Sequence, residues 1–199
     1  MLQTATAPVA SELALAPGVA LARARTHEAA GPSRAVFALL AAARTTGPLL
    51  WIHPAWAPER PMGDGISPFL DPARLVFVRT RKPAEILWAA EEALRSGEVA
   101  LVVADLLEPP ELLAVRRLHL AAETGALGPG EAPLALLLTP GAGGAPGVET
   151  RWHLAPVPGW AAGGGPRWRL ARTRARMAPE ACWQAWLEHG ALRLAPAAP

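Results

Sequence analysis

Apolar residues collect in short unbroken runs along this chain, and breaks rich in Gly and Pro separate them. Leu49 to His53 (LLWIH), Leu75 to Arg79 (LVFVR), Val99 to Asp105 (VALVVAD) and Leu134 to Thr139 (LALLLT) are all of strand length. Such runs suit parallel strands buried on both faces. Between them the spacing changes to a helical period. Arg34 to Arg44 offers Val36, Phe37, Leu39 and Leu40 to a core, with Ser33 placed as its cap. Pro83 to Arg95 puts Ile86, Leu87, Ala90 and Leu94 on one face and stops at Gly97, and Glu111 to Thr124 follows a double proline. Strands alternating with helices of this length predict a doubly wound α/β sheet, mostly parallel.

The pattern differs at both ends. Residues 1–21 are small, Pro-broken and almost uncharged, which predicts a flexible arm with a short helix around Ser11 to Leu15. Arg23 to Ala30 (RARTHEAA) reads as a first strand before the Gly31-Pro32 turn. Pro54 to Gly65 reads as a loop. In the last quarter, Thr150 to Ala155 and Arg167 to Arg174 alternate polar and apolar residues, as antiparallel strands at a sheet edge do, around a loose Gly163-Gly164-Gly165 connection. Pro179 to Glu188 is expected to be a helix with Trp183 and Trp186 inward, and the last five residues are expected to fray. The division is therefore an arm (1–21), a domain (22–178) and a C-terminal helix with a tail (179–199).

Composition narrows the function classes. Of 199 residues, 51% are hydrophobic and 18% charged, enough to build a core and too apolar for disorder. That apolarity also hints at a face covered by a partner. A single cysteine, Cys182, excludes a disulfide framework or a cysteine-rich zinc site and suggests a reducing, cytoplasmic setting. No charged n-region precedes an apolar stretch, and the apolar runs are too short to span a bilayer. The net charge of +2 excludes a strongly basic nucleic-acid binder. The charge is uneven, however: residues 151–199 hold seven basic and two acidic side chains, against twelve and fifteen in residues 1–150.

The order of the pieces resembles the RecA-like core. THEAAGPSRAVFALLAAARTTGPLLWIHP followed by DPARLVFVRTRKPAEILWAAEEALRSGEVALVVADL matches its run of phosphate-loop turn, helix, strand, strand, helix and Walker B strand. LARTRARMAP resembles its late basic strand. Within that group the phrases GPLLWIHPAW, EEALRSG, VVADL, VRRLHLAAE, TRWHLAP and WRLARTRAR resemble the ImuA family, which is related to RecA and to the division inhibitor SulA. The resemblance implies a degenerate RecA-like domain in a bacterial mutagenesis cassette for damage-induced translesion synthesis. It implies three protein partners: ImuB, a polymerase-like adaptor; an error-prone DNA polymerase; and RecA. It also implies a nucleoid association when engaged.

A working phosphate loop needs glycine-rich amides, a Lys and a Ser/Thr hydroxyl. At the matching place stands Gly31-Pro32-Ser33-Arg34, short and without Lys, and Pro32 removes a donor. Ser33 and Arg34 read as a cap and a solvated side chain, or Arg34 as a phosphate ligand at a helix start. Asp105 ends its strand where a Walker B carboxylate would sit, with capping of the next loop as the plainer role. Gly31, Ser33, Arg34 and Asp105 thus form a vestigial nucleotide site, and neither a catalytic residue, a cofactor nor a metal ligand is expected. His53 has no nucleophile paired with it, and His27, His119, His153 and His189 lack ligand spacing.

The strongest cluster is Arg167, Arg169, Arg172, Arg174 and Arg176. Alternation places Arg172, Arg174 and Arg176 on one face, and a bulge is needed to bring Arg167 and Arg169 to it. Such a row suits acidic partner groups or DNA phosphates in a weak, salt-sensitive contact, or serves as a solvated edge that blocks aggregation. Of the eight Trp, Trp51, Trp88 and Trp152 read as core, whereas Trp56 and Trp160 in loops rich in Pro or Gly read as anchors for a partner or a single strand. Three functions remain: a non-catalytic interaction protein, a DNA-stimulated ATPase with an unconventional nucleotide site, and a SulA-like inhibitor of septum formation.

Overall fold

The computed structural model describes residues 11–57, 61–161 and 165–197. The expected arm over residues 1–10, Gly163 and Gly164 of the glycine connection, and the last two residues of the expected fray lie outside the described residues. So does part of the expected loop between Pro54 and Gly65.

A nine-stranded sheet organises the chain. In order along the chain its members are β3 (Thr26–Ala30), β4 (Leu49–Pro54), β5 (Leu75–Thr80), β6 (Leu101–Asp105), β7 (Leu134–Thr139), β8 (Thr150–Trp160), β9 (Pro166–Ala175), β10 (Ala181–Glu188) and β11 (Ala191–Pro196). Across the sheet they lie β11-β10-β9-β8-β3-β7-β6-β4-β5. From β5 to β8 every pairing is parallel, and from β8 to β11 every pairing is antiparallel. The expected mostly parallel sheet with antiparallel C-terminal strands is therefore present. Central strands β3 and β7 are buried along their whole length, β7 as its unbroken apolar run requires and β3 although it carries Thr26, His27 and Glu28.

Helices cover both faces of the parallel half. On one face lies α1 (Arg34–Ala42), whose Phe37, Ala38, Leu39 and Leu40 pack on Trp51, Leu136, Leu138 and Trp152. A short α2 (Gly63–Ile66) adds Ile66 to this layer, and Phe37 stacks on Trp152 at 5.7 Å between ring centroids. On the other face lie α3 (Pro83–Ser96) and α4 (Leu112–Gly125), which bury Ile86, Leu94, Val115 and Leu118 against Ile52, Val102 and Leu137. Pro83 sits in the first turn of α3, and the Glu85 carboxylate accepts from the amides of Arg81 and Lys82. The ends of α3 and α4 touch at Gly125, where a Cβ would stand 2.0 Å from the Leu94 carbonyl oxygen.

Both chain ends depart from expectation. Residues 12–22 form a β-hairpin, β1 (Glu12–Ala16) and β2 (Val19–Ala22), instead of an arm with a helix. Its Leu13, Leu15, Val19 and Leu21 alternate with Ala and enter the core beside α1, and Gly18 turns the chain at φ +79°. Residues 181–196 form a second hairpin, β10–β11, instead of a helix and a frayed tail. His189 and Gly190, both at positive φ, close it as a two-residue turn. Pairing on both edges of β10 outweighs the helix-like spacing of its tryptophans. Trp183 packs inward beside Trp152, while Trp186 points to the opposite face of the sheet.

Candidate functional site

The turn between β3 and α1 is tight, and its own fold uses its donors. Gly31 adopts φ +89°, and a Cβ there would stand 2.6 Å from the Leu154 carbonyl oxygen and 2.8 Å from His153 Nε2. The Gly31 amide donates to the Gly141 carbonyl at 3.0 Å, Ser33 to Leu154 at 3.0 Å and Arg34 to Gly31 at 3.2 Å. Pro32 has no N–H to give. The Ser33 side chain, though at the cap position, makes no capping hydrogen bond.

Arg34 and Asp105 come together at the carboxyl ends of the parallel strands, the usual ligand edge of an α/β sheet. The guanidinium Nη2 lies 3.9 Å from Asp105 Oδ1, and both side chains are partly exposed. They are shared by two adjoining clefts. One, of about 240 Å³, is lined mainly by Pro32, Ala35, Leu39, Trp51 and Leu138. The other, of about 300 Å³, runs past Pro54, Leu107 and Trp56, which is 50% exposed. The walls are largely apolar, so among the described residues lining these clefts Arg34 is the one cation and it stands beside the Asp105 carboxylate. His53 is buried within β4, its Nδ1 donating to the Pro54 carbonyl at 3.0 Å. Among the described residues no cluster of three His, Cys, Asp or Glu has metal-site proximity.

The arginine row is split by a bulge. Arg174 pairs across from Arg151 while Arg172 pairs across from Trp152, so Thr173 is the extra residue of β9. Directly opposed residues share a face. Arg167, Arg169 and Arg174 therefore lie on the α3/α4 side, and Arg172 lies on the other, which corrects the expected grouping of Arg172 with Arg174 and Arg176. Arg172 is a packing residue: its guanidinium carbon lies 5.7 Å from the Trp152 ring centroid and 5.6 Å from that of Trp183. It also donates to the carbonyls of Gly18 and Pro179, tying the first hairpin to β9. Arg176 reaches Glu149 at 3.7 Å.

Helices α3 and α4 pack over β3–β7, and among the described residues no helix packs on the same side of β9–β11. This open face presents the exposed Arg169 and Arg174. At one end a cleft of about 330 Å³ lies between Trp160 and Trp186, with Arg167, Gln184, Glu188 and Ala195 in its walls. Arg167 is held there by a hydrogen bond to the Gln184 side chain. Trp160 is 73% exposed, at the end of strand β8 and not in a loop. Trp88, expected in the core, is 62% exposed on the outside of α3. Cys182 is a half-buried thiol on β10, not on a helix.

Sequence reading missed the polar centre of the sheet. Glu28 on β3 is fully buried; its Oε1 accepts from Thr139 Oγ1 at 2.7 Å and from the amides of Gly144 and Ala145 at 2.8 and 3.0 Å. Its Oε2 pairs with Arg151 Nε. This one carboxylate pins the loop after β7 to the middle of the sheet. Nearby, His27 bridges Thr150 Oγ1 and the Ala22 carbonyl, and burial pushes its pKa down to about 4. His119 accepts from the Thr26 amide at Nδ1 and donates to the Gly147 carbonyl from Nε2, and burial lowers its pKa as well. The signal for Glu28 was available, because a carboxylate inside a strand flanked on both sides must find a buried partner.

Comparison with known proteins adds one group of relatives. Two curated proteins named Protein ImuA, from Caulobacter vibrioides strains NA1000 / CB15N and ATCC 19089 / CIP 103742 / CB 15, are each 39% identical to this chain over 119 residues. The match takes in 52% of this chain and 46% of each relative, so the chain spans about half the length of the curated relatives it matches. No family model matches the chain. Among the described residues no helix is long and apolar enough to cross a membrane.

Proposed function

We propose that this chain is an ImuA-type protein built on a degenerate RecA-like domain, and that it works by docking within a damage-induced mutagenesis cassette without turning over nucleotide. The similarity to the two ImuA proteins supports the family reading. The run β3, turn, α1, β4, β5, α3, β6 supports the RecA-like one, since it follows the layout of phosphate loop through Walker B strand. The observation that carries the non-catalytic reading is the β3–α1 turn. The amides that would cradle a phosphate are bonded to Gly141, Leu154 and Gly31, and Arg34 occupies the ground beside Asp105. An ATPase with an unconventional site would have to open that turn first.

On this reading the open face of β9–β11 receives the ImuB-like adaptor, through Arg169, Arg174 and the Trp160–Trp186 cleft. Planar guanidinium groups around a tryptophan-walled cleft suit a partner segment that combines carboxylates with an apolar anchor. The error-prone polymerase and RecA join through the adaptor or through Trp56 at the strand-end cleft. Weak DNA contact falls to the same basic face. A pull-down against the adaptor tests the assignment. Binding is lost in Arg169→Glu with Arg174→Glu and retained in Arg81→Glu, a distant charge control. Retained binding in the double variant removes this face from the account.

A further inference from the structure

The outer face of α4 carries a row of leucines left exposed among the described residues. Leu113, Leu120 and Leu127 are 68, 62 and 87% exposed. They are spaced seven residues apart, and the helix runs on past Gly125 as a tightened turn in which the Leu127 amide donates to the Thr124 carbonyl. Leu113 and Leu120 therefore stack on one stripe of α4, and Leu127 follows them in the turn that closes it. The residues between them, Arg116, Arg117, Glu123 and Thr124, are exposed as well. Two large apolar side chains in line on a helix, with a third in the turn that follows it, are more than scattered surface hydrophobes and mark an interaction surface.

The stripe is self-complementary. Reversed about Leu120, Leu113 falls on Leu127, Arg116 falls beside Glu123, and Arg117 falls beside Thr124. On helical geometry Arg116 and Glu123 share one flank of the stripe, while Arg117 and Thr124 share the other. A two-fold axis through Leu120 keeps each flank facing its own copy, so cation meets carboxylate twice and leucine meets leucine three times. Within the chain Arg117 is paired with Glu91 and Glu123 with Arg25, whereas Arg116 has no acidic partner among the described residues. An antiparallel copy supplies one.

We propose that two copies of this chain associate through α4, packed antiparallel about Leu120. The inference is independent of the adaptor reading, because α4 lies outside the open face of β9–β11. A single helix pair of this length, about 22 Å, buries less than a standard interface. The dimer is accordingly weak and concentration-dependent.

Sedimentation velocity on the full chain over a rising concentration series reads it out. The wild type moves from monomer to dimer. Leu120→Glu, at a position too exposed to unfold the chain, shifts the midpoint upward by at least about tenfold. Arg116→Glu and Glu123→Arg each weaken association, and the two together restore it. Disulfide trapping fixes the geometry: in a Cys182→Ala background Leu120→Cys cross-links to itself. Leu113→Cys alone does not, since its two copies stand about 21 Å apart, but it does cross-link when mixed with Leu127→Cys. A wild-type chain that stays monomeric overturns the proposal. So does a charge swap that fails to restore association, or a Leu113→Cys that traps as readily as Leu120→Cys.

Discussion

The parallel half of the sheet, β3 to β7, and the antiparallel half, β8 to β11, are built from the same chain by different rules. The parallel half has helices on both faces, so its central strands β3 and β7 are buried from end to end, and their Glu28, His27 and Thr139 are bonded within the sheet. The antiparallel half packs one face on the core through Trp152, Trp168, Leu170 and Trp183 and leaves the other face open. On that face Arg169 and Arg174 meet solvent, whereas Arg151 pairs with Glu28 and Arg172 packs on two tryptophans of the core face. The difference separates a scaffold, where Glu28, His27 and Thr139 are committed to the fold, from a surface on which Arg169 and Arg174 stand exposed.

Substitutions sharpen that contrast, and the largest effect belongs to the scaffold. Glu28→Ala leaves Arg151 and the amides of Gly144 and Ala145 without their acceptor. It should lower unfolding stability by about 3–5 kcal/mol in urea titration. A loss comparable to that of a surface variant would break the distinction.

The next effect is set by pH. His27, fully buried, has its pKa lowered from 6.5 to about 4 by burial. The unfolded chain takes up this proton near pH 6.5, whereas the folded chain resists until near pH 4. Stability is therefore intact above pH 6.5 and falls as pH drops toward 4, by roughly 3 kcal/mol for this group alone. His119 shifts in the same direction and adds to the loss. Thermal unfolding midpoints measured between pH 7.5 and pH 4.5 check this, and a flat profile contradicts it. Gly31→Ala follows, at about 1–3 kcal/mol, because φ +89° and the Leu154 carbonyl both oppose a Cβ. Circular dichroism melts of this variant read that cost.

The smallest effects lie in the antiparallel half and divide the arginines. Arg172→Ala removes a cation held against two tryptophan rings and should cost about 1 kcal/mol. Arg169→Ala, on the open face, should change stability by less than about 0.5 kcal/mol. Equal losses at the two positions would mean that the bulge at Thr173 does not sort them.

Legibility followed the same divide. β4, β6 and β7 stood out because doubly covered strands must be continuously apolar, the edge strand β5 because its short apolar run is bounded by polar residues, and α3 because Pro83 and Gly97 mark its ends. The first hairpin was obscured by its alanines: Leu13, Leu15, Val19 and Leu21 alternate strictly, but with Ala between them the contrast between faces is weak. β10 was obscured because Ala, Gln, Leu and Glu favour helix and Trp183 and Trp186 are three apart, a local preference that pairing with β9 and β11 overrides. In the site, the meeting of Arg34 with Asp105 was readable from strand-end positions. The sorting of the arginines was not, because it depends on one inserted residue whose place only the register with β8 reveals. Trp88 misled for a related reason: its apolar bulk suggests a core position, while the helical phase set by Ile86, Ala90 and Leu94 turns it outward.

The central claim is that the β3–α1 turn is closed on itself and has no grip for a triphosphate. Titration of the purified chain with a fluorescent ATP analogue and Mg²⁺ tests this most directly. The account predicts no saturable binding, with or without single-stranded DNA. Saturable binding that Asp105→Ala abolishes would contradict it.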